Sequence, residues 1–283
     1  MKIFKKNNQV SHKSYAVVTG AGSGIGRSFA LALAKRGGKV LCVDLNMQAA
    51  QETVALIELQ WPGQAIAYQC DVAQADQVEH MAQQAADCLG HAVTLLVNNA
   101  GVGLGGRFDE VSLEDWQWCM QINLWGVIYG CHYFVPLFKQ QGRGAIINVA
   151  SAAGFTAAPE MAAYNVTKSG VVTLTETLAA ELAKDHIDLN VLCPTLVPTN
   201  IMKNGRLPQR YASKAERLLM NHAFVNSDQV AELTLNQLDK KRLYSIPQPD
   251  AKLFWWLKRT APSTYARILA WAYPQFQRFT QSK

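Results

Sequence analysis

A strand, a glycine-rich turn and a helix follow one another near the start of the 283-residue sequence. Residues 15–19 form a short β-branched run that predicts a strand, and the alanine-rich pattern of residues 27–35 predicts a helix. Gly20, Gly24 and Gly26 lie between them, where they permit a tight turn. They also let the pyrophosphate of a ligand approach backbone N–H groups at the helix start, where the helix dipole favours an anion. We expect the later strands and helices to continue this strand–turn–helix pattern.

Short apolar runs keep alternating with helical patterns along the chain. Later strands are predicted at residues 39–43, 65–70, 93–97, 145–150, 189–193 and 242–246, and later helices at residues 47–59, 73–88, 112–140, 161–184 and 227–240. Short, continuously apolar runs are typical of strands that are buried on both faces. The pattern therefore predicts an α/β fold with a parallel sheet between two layers of helices. Residues 200–226 lack a clean period, and we predict that they form a lid.

An acidic residue stands at the end of the second predicted strand. The carboxylate of Asp44 can accept hydrogen bonds from both hydroxyls of an adenosine ribose, and it would repel a 2′-phosphate. Neither Leu45 nor Asn46 supplies a positive charge that would reverse this preference. The sequence therefore favours NAD over NADP. NADP would be accepted if an arginine from elsewhere in the fold paired with its 2′-phosphate.

A phenol and an ammonium lie four residues apart in one predicted helix. On a helix Tyr164 and Lys168 share a face, separated by roughly 6 Å along the axis. A fixed positive charge favours a phenolate, so the pair suits a proton-transfer site. Ser151, thirteen residues before Tyr164 at the end of an apolar run, can donate to the same substrate oxygen. Taken alone, such a pair is more often a surface pair, and its weight depends on the other motifs.

Composition limits the class of protein. Hydrophobic residues make up 49% and charged residues 17% of the sequence, which indicates a globular protein with a large core. The six cysteines have no CxxC or zinc-ligand spacing, and they predict buried reduced thiols, no metal site and a reducing compartment. Residues 1–14 carry lysines without the apolar stretch of a secretory signal, and no run is long enough to span a membrane. We therefore expect a cytoplasmic protein.

The net charge of +6 comes from the C-terminal tail. Residues 251–283 contain six Lys and Arg, no Asp or Glu, and eight aromatic residues. The remainder of the chain is neutral and shows no nucleic-acid-reading motif, so we expect no nucleic-acid partner. Pro262 divides the tail into two predicted helices. Its aromatic side chains either dock on the folded domain or enter the headgroup region of a membrane, which would make the protein peripheral at a membrane surface.

Several ordered motifs resemble those of one known family. They are TGAGSGIG at residues 19–26, NNAG at residues 98–101, Asn123, Ser151, Tyr164 with Lys168, and Pro194. Together they resemble the short-chain dehydrogenase/reductase family over about residues 14–246. The resemblance implies a single Rossmann-type, doubly wound, seven-stranded parallel sheet with helices on both faces. It implies a dehydrogenase domain at residues 14–250, after a flexible segment at residues 1–13 and before a C-terminal helical extension at residues 251–283.

The same resemblance implies a nicotinamide cofactor at the point where the strand order reverses. The residues that it assigns to the cofactor are Gly20, Ser23, Gly24, Ile25, Gly26, Asp44, Asp71, Val72, Asn99, Ala100, Gly101, Tyr164, Lys168, Pro194, Val197 and Thr199. By this resemblance Asp71 and Val72 would meet the adenine, Asn99 would lie along the cofactor, and Thr199 would touch the nicotinamide amide. Thr195 departs from the family pattern, which has glycine after the proline, and we expect it to narrow the nicotinamide pocket.

The implied reaction is reversible oxidoreduction between an alcohol and a ketone or aldehyde. In it Tyr164 acts as the acid/base and Ser151 polarises the substrate oxygen. Lys168 binds the nicotinamide ribose and lowers the pKa of Tyr164, and Asn123 holds a water that links Lys168 to solvent. Two alternatives stay open, a ketoacyl-thioester reductase that would prefer NADPH and a non-catalytic cofactor-binding regulator.

The sequence also gives expectations for the substrate and for assembly. Residues 102–104, Phe155 and residues 196–220 are the expected substrate contacts, and because they are mostly apolar they predict a hydrophobic small molecule. The predicted helices at residues 112–140 and 161–184 resemble those that pair across two-fold axes in this family. They imply a homodimer or homotetramer.

Overall fold

Seven parallel strands form one sheet in the computed structural model, which describes residues 9–201, 204–208 and 225–281. The strands are β1 Tyr15–Thr19, β2 Lys39–Asp44, β3 Ala65–Gln69, β4 Leu95–Asn98, β5 Gly144–Val149, β6 Ile187–Leu192 and β7 Tyr244–Ser245. Their order across the sheet is β3-β2-β1-β4-β5-β6-β7. The predicted doubly wound, seven-stranded sheet is confirmed, although β7 is shorter than expected.

Helices follow the strands and cover both faces of the sheet. Their bounds are α1 Gly24–Lys35, α2 Met47–Glu58, α3 Ala75–Leu89, α4 Leu113–Met120, α5 Gly126–Gln140, α6 Ala153–Thr156, α7 Ala162–Glu181, α8 Ser227–Asp239, α9 Pro249–Thr260 and α10 Pro262–Gln281. Successive side chains of a strand point to opposite faces, so each strand serves two cores. One core joins the sheet to α3, α5 and α7, and the other joins it to α1 and α8.

The strand order reverses between β1 and β4. After β1 the chain adds β2 and then β3 on one side of the sheet. After β4 it adds β5, β6 and β7 on the other side. β1 and β4 are paired in parallel with Ala16 beside Leu95, and every residue of β4 is buried. In sheets of this kind a crevice opens beyond the carboxyl ends of these two strands, and ligands bind there.

The predicted helix at residues 112–140 is not uniform. It begins as α4 behind the capping side chain of Ser112, which accepts a hydrogen bond from Asp115 N at 3.1 Å. Residues Gln121–Trp125 then form a π-helical turn before α5 continues the rod. A π turn inserts an extra residue and changes which side chains face inward. Here it directs Asn123 into the interior, where the residue is fully buried.

Both ends of the domain are tied down. Of the segment predicted to be flexible, residues 9–13 contact the domain, since Ser11 donates from its N–H and its hydroxyl to Asp239 at 2.9 and 2.7 Å. Arg36 joins the same cluster through an ion pair with Asp239 at 3.2 Å. Residues 1–8 lie outside the described residues. The tail forms two helices divided at Pro262, as predicted.

No helix in the described part of the chain is both long and apolar enough to cross a bilayer. Of the predicted lid, residues 202–203 and 209–224 lie outside the described residues. Arg206, in the described part of this segment, is bonded to the loop after β4. Its N–H donates to Gly103 O at 3.0 Å, and its carbonyl accepts from Gly105 N at 3.2 Å.

Candidate active site

The glycine turn after β1 leaves no room for side chains. Gly20 has a φ of +65°, which L side chains rarely adopt, and a Cβ there would lie 2.9 Å from Ala100 Cα. A Cβ on Gly26 would overlap the carbonyl oxygen of Gly20. The first turn of α1 therefore packs directly against the end of β1 and the start of the loop after β4. Only glycine permits this closeness.

The first turn of α1 lies at the crevice, beyond the end of β1. Ser23 precedes the helix in an extended conformation, and among the described residues its side chain makes no capping hydrogen bond. The N–H groups of the first turn, which include those of Gly24 and Ile25, have no partner within the helix itself. The methyl group of Thr199 lies 3.0 Å from where a Cβ on Gly24 would be. Thr199 therefore contacts the glycine turn, on the side where a pyrophosphate would bind.

Asp44 is held at the tip of β2 by backbone donors. Its carboxylate accepts from Gly22 N at 2.8 Å and from Asn46 N at 2.9 Å. Each oxygen keeps a further lone pair for a ribose hydroxyl. Arg27 brings a cation to the same turn, but its guanidinium bonds to Gly22 O and pairs with Glu52 at 3.3 Å. The local charge that a 2′-phosphate would meet is thus the carboxylate of Asp44.

The loop after β4 is joined to the glycine turn by a residue that the sequence analysis did not single out as functional. The Thr19 hydroxyl accepts from Asn99 N at 3.0 Å and from Ala100 N at 3.1 Å. The Asn99 amide donates to Thr19 O at 2.9 Å and to Gly20 O at 3.3 Å. Thr19 stands at the end of β1, beside the strand where the order reverses, and this position is the signal that would have identified it.

Asp71 and Val72 lie just beyond β3. The Asp71 carboxylate accepts from Ala73 N at 2.9 Å and so closes the turn that leads into α3. Val72 is buried and packs against Gly126, where a Cβ would lie 3.0 Å from Val72 Cγ2. The structure thus assigns both residues a structural role at the crevice wall, beside the end of β2 that carries Asp44.

Ser151, Tyr164 and Lys168 are brought together where α7 passes the end of β5. Tyr164 and Lys168 are buried one turn apart on α7, and the Ser151 hydroxyl is near enough to the phenol to lower its pKa. Lys168 Nζ donates to Val149 O at 2.9 Å and lies 5.7 Å from the centroid of the Tyr164 ring. The three predicted catalytic side chains therefore share one enclosure at the crevice.

Burial controls the proton affinities in this enclosure. It raises the pKa of Tyr164 to about 12, although the nearby Ser151 hydroxyl lowers it in part. It lowers the pKa of Lys168 from 10.5 to about 8. The net shift of the Tyr164 pKa in the protein alone is upward, because the cost of burying a charged phenolate is the largest effect. That Lys168 lowers this pKa stays a prediction.

Asn123 fastens the loop after β4 to the π turn. Its Oδ1 accepts from Val102 N at 2.8 Å, and its Nδ2 donates to Val102 O at 2.9 Å and to Cys119 Sγ at 3.3 Å. A Cβ on Gly101 would lie 3.1 Å from Asn123 Oδ1 and 3.4 Å from Lys168 Nζ. Asn123 thus lies beside Lys168, and the side chain of this buried amide is satisfied by protein groups.

The loop after β6 carries Pro194 and Thr195 across the site. Ser151 Oγ donates to Pro194 O at 3.3 Å, which links this loop to the end of β5. Gln248, which is almost completely buried, accepts from Thr195 N at 3.1 Å and donates to Leu196 O at 3.5 Å. Val197 is buried in the core on the α1 side of the sheet. No local signal in the sequence indicated Gln248, which lies 53 residues beyond Thr195.

Comparisons with known proteins agree with this geometry. The family model described as short chain dehydrogenase matches residues 14–210. A cyclohexanol dehydrogenase from Acinetobacter is 37% identical over 70% of this chain and 76% of its own length. A 3-oxoacyl-[acyl-carrier-protein] reductase from Synechocystis is 36% identical over 67% of this chain and 76% of its own length. Some relatives are longer, and the chain spans 43% of a probable oxidoreductase EphD from Mycobacterium tuberculosis, at 30% identity over 87% of this chain.

Solved structures show the same architecture. A short-chain dehydrogenase/reductase from Burkholderia phymatum in complex with NAD is similar with a TM-score of 0.80 and 35% identity, covering 86% of this chain and 92% of that chain. A short-chain dehydrogenase from Sphingobium yanoikuyae in complex with NADPH has a TM-score of 0.75 at 24% identity, covering 89% of this chain and 94% of that chain.

The lowered pKa of Lys168 predicts a specific pH dependence of stability. Between the native pKa of about 8 and the unfolded value near 10.5, the unfolded chain binds more protons at this lysine than the folded chain. The cost of the buried charge is therefore complete below pH 8 and disappears as the pH rises toward 10.5. Relative to Lys168→Met, the wild-type free energy of unfolding should rise by about 3 kcal/mol over this interval. Urea titrations at a series of pH values measure it, and a constant difference would contradict it.

Proposed function

The chain belongs to the short-chain dehydrogenase/reductase family, and from this premise we propose that it interconverts a hydrophobic alcohol and its ketone or aldehyde with NAD. The observation that carries the proposal is the shared enclosure of Ser151, Tyr164 and Lys168 beside the glycine turn. A buried phenol, a nearby hydroxyl and an ammonium one turn away are the groups needed to hold and protonate a substrate oxygen. The reaction class is that of an alcohol dehydrogenase or carbonyl reductase.

The crevice residues fit a dinucleotide cofactor. The close glycine turn and the open N–H groups at the start of α1 suit a pyrophosphate, and Asp44 suits the hydroxyls of a ribose. Asn99, Ala100 and Gly101 line the crevice on the β4 side. When bound, the nicotinamide cofactor supplies or accepts the hydride. Lys168 would bind the nicotinamide ribose. Thr199, which contacts Gly24, would lie next to the pyrophosphate and the nicotinamide.

We assign proton transfer to Tyr164. Because its pKa is about 12, the phenol is protonated near neutral pH and is ready to donate to a substrate oxygen when a carbonyl is reduced. We infer that Ser151 bonds to the same oxygen, since its hydroxyl is near enough to the phenol to lower the pKa of Tyr164. Asn123 keeps the loop at Val102 in place and lies beside Lys168, where a water bonded to its remaining lone pair would connect the ammonium to solvent.

The proposed substrate is apolar. Val102 and Leu104 lie on the loop that Asn123 fastens, and Leu104 is bridged to Arg206 of the lid. Phe155 is half-buried on α6, close to Ser151 in sequence. These side chains supply dispersion contacts and few hydrogen bonds, which suits a hydrophobic alcohol or ketone. The similarity to a cyclohexanol dehydrogenase supports this class of substrate.

A ketoacyl-thioester reductase is the second candidate. The similarity to a 3-oxoacyl-[acyl-carrier-protein] reductase favours it, whereas the carboxylate of Asp44 counts against the NADPH that such an enzyme would use. Parallel assays with cyclic ketones and with 3-ketoacyl thioesters, each with both cofactors, separate the two. A chain that binds NADH and turns over neither substrate would instead be a cofactor-binding regulator.

We propose a cytoplasmic location from the state of the cysteines. All six cysteines are free thiols, and five of them are buried. Unpaired thiols of this kind suit a reducing compartment.

Replacement of Tyr164 by Phe should reduce kcat by roughly 10²-fold or more, because it removes the proton donor. Binding of NADH, followed by quenching of protein fluorescence, should persist. Tyr68→Phe, which removes a phenolic hydroxyl on β3 at the far edge of the sheet, is the matched control and should keep full activity. Retention of more than about a tenth of the wild-type rate by Tyr164→Phe would show that another group transfers the proton.

The carboxylate of Asp44 should make NAD the better cofactor. The ratio of kcat/KM for NAD to that for NADP should exceed one in the wild-type enzyme, and Asp44→Ala should reduce it, because the repulsion of a 2′-phosphate is removed. Asp87→Ala removes an exposed acid near the far end of α3 and serves as the control. A wild-type preference for NADP would contradict the assignment.

We propose that the protein assembles as a homodimer or homotetramer through α5 and α7. An open apolar groove lies on these helices and is lined by Ile128, Tyr133, Pro136, Leu137, Leu174 and Leu178 among others. Leu137 and Val166 are exposed, and both belong to the helices that the sequence predicted to pair. A second copy would cover this surface.

Light scattering should therefore give a mass that is a multiple of the 31.2 kDa chain. Leu137→Glu should lower the mass, since it places a charge in the groove. Leu59→Glu, at an exposed leucine at the end of α2, should not. A wild-type mass of one chain at micromolar concentration would rule the assembly out.

A further inference from the structure

The tail helices α9 and α10 are docked on the loops beside the catalytic residues. Tyr265 is buried, and its hydroxyl donates to Thr156 O at 2.8 Å, at the end of α6. Tyr273 donates to Glu160 Oε1 at 2.8 Å, in the segment that leads into α7. Gln248, immediately before α9, holds the backbone of Thr195. The docking alternative from the sequence is therefore confirmed for one side of the tail.

These contacts fix which face of each helix points away from the domain. On α9 the inward side chains are Ala251, which is buried, Trp255, whose ring centroid lies 5.8 Å from that of Tyr244, and Arg259. The guanidinium carbon of Arg259 lies 4.3 Å from the centroid of the Trp255 ring, and Arg259 Nη2 forms an ion pair with Glu176 Oε1 at 3.3 Å. Residues 251, 255 and 259 are spaced by four, so they form a single stripe along the helix. Rotation of α9 would break all of these contacts.

The opposite faces are apolar and exposed. On α9, Leu253 and Trp256 are separated by three residues, and Trp256 is 57% exposed. On α10, Ile268 and Trp271 have the same spacing, and Trp271 is 70% exposed. We call these four residues the outward face. Trp residues are costly to leave in water, and their amphipathic rings suit a boundary between apolar and aqueous regions.

Cations predominate around the outward face, because the one acid of α9 is Asp250 in its first turn, which accepts a hydrogen bond from Thr195 Oγ1 at 3.5 Å. Lys252 on α9 and Arg267 on α10 are exposed, and residues 251–283 contain no acidic residue. If a second copy of the chain packed the same face against itself, like charges would be brought together, because a two-fold interface is self-complementary. An anionic surface avoids this repulsion. The pattern thus favours a negatively charged partner that also has an apolar layer.

We propose that the outward face binds the surface of a membrane that contains anionic lipid. Leu253, Trp256, Ile268 and Trp271 enter the boundary between headgroups and acyl chains, while Lys252 and Arg267 meet lipid phosphates. The inward contacts keep the helices on the domain, so the protein lies on the bilayer with the loops at Thr156 and Thr195 next to the tail. The benefit of this arrangement, access to apolar substrate dissolved in the bilayer, rests on the proposed function, whereas lipid binding itself does not.

Vesicle flotation with the full-length protein tests the proposal. At low salt the protein should float with vesicles of phosphatidylglycerol mixed into phosphatidylcholine, and much less with pure phosphatidylcholine. The double variant Trp256→Ser/Trp271→Ser should weaken partitioning by about tenfold or more, because two large apolar side chains are lost from the boundary. Lys252→Gln/Arg267→Gln should also weaken it by about tenfold or more, and the residual binding should depend less on salt.

Matched controls separate the outward face from general stickiness. Leu59→Ser changes a leucine that is 82% exposed at the end of α2, and Lys35→Gln/Lys184→Gln removes two exposed cations outside the tail. Both should bind vesicles as the wild type does. Turnover of a water-soluble ketone should be unchanged in all four variants, so a failure of the enzymatic proposal would be visible separately. Wild-type protein that stays unbound from the anionic vesicles, or tryptophan variants that bind as well as the wild type, would overturn the proposal.

Discussion

The direct contact between α1 and the end of β1 is the constraint on which the crevice depends. Because Gly20 and Gly26 have no side chains, the helix start, the end of β1 and the loop after β4 all meet within van der Waals distance. Thr19 and Asn99 then bind that meeting point with hydrogen bonds in both directions. A methyl group at Gly26 would separate the helix from the strand, and the N–H groups that receive an anion would turn away from the crevice. The other residues at the crevice are therefore positioned relative to this contact.

A buried polar network lies behind the enclosure that Ser151, Tyr164 and Lys168 share. Asn98 donates to Asn148 at 2.9 Å, and Asn148 donates to Thr175 at 3.0 Å, so β4, β5 and α7 are joined inside the apolar core. The register of α7 against β5 sets how far Tyr164 lies from the end of β5 that carries Ser151. Such buried amides are costly unless satisfied, and their paired arrangement favours one register over its neighbours. The network thus supports the part of α7 in which the Lys168 ammonium is buried at a cost in stability.

Features that depend on local pattern could be predicted from the sequence, and features that depend on distant neighbours could not. The strands, the glycine turn and the four-residue spacing of Tyr164 and Lys168 follow from periodicity, because each is settled within about one helical turn or one strand. The π turn at Asn123 differs from an α-helix by one residue and leaves no compositional trace. The contact of Gln248 with Thr195 joins segments that the sequence separates widely. The pKa of Tyr164 depends on how completely the folded chain excludes water, which no spacing of residues reveals.

The bonds from Ser11 to Asp239 give the domain a further property. They join the residues that enter β1 to the end of α8, across a sequence separation of 228 residues, and Arg36 of α1 strengthens the junction. The segment before β1 and the last turn of α8 are therefore held next to each other without a covalent link. Domains whose chain ends lie close together commonly tolerate circular permutation. A short linker from the end of α8 to Ser11, with a new opening in a surface loop, would thus keep the order of the strands in the open sheet, but it would have to leave β7 and the tail on a separate branch or carry them through the linker.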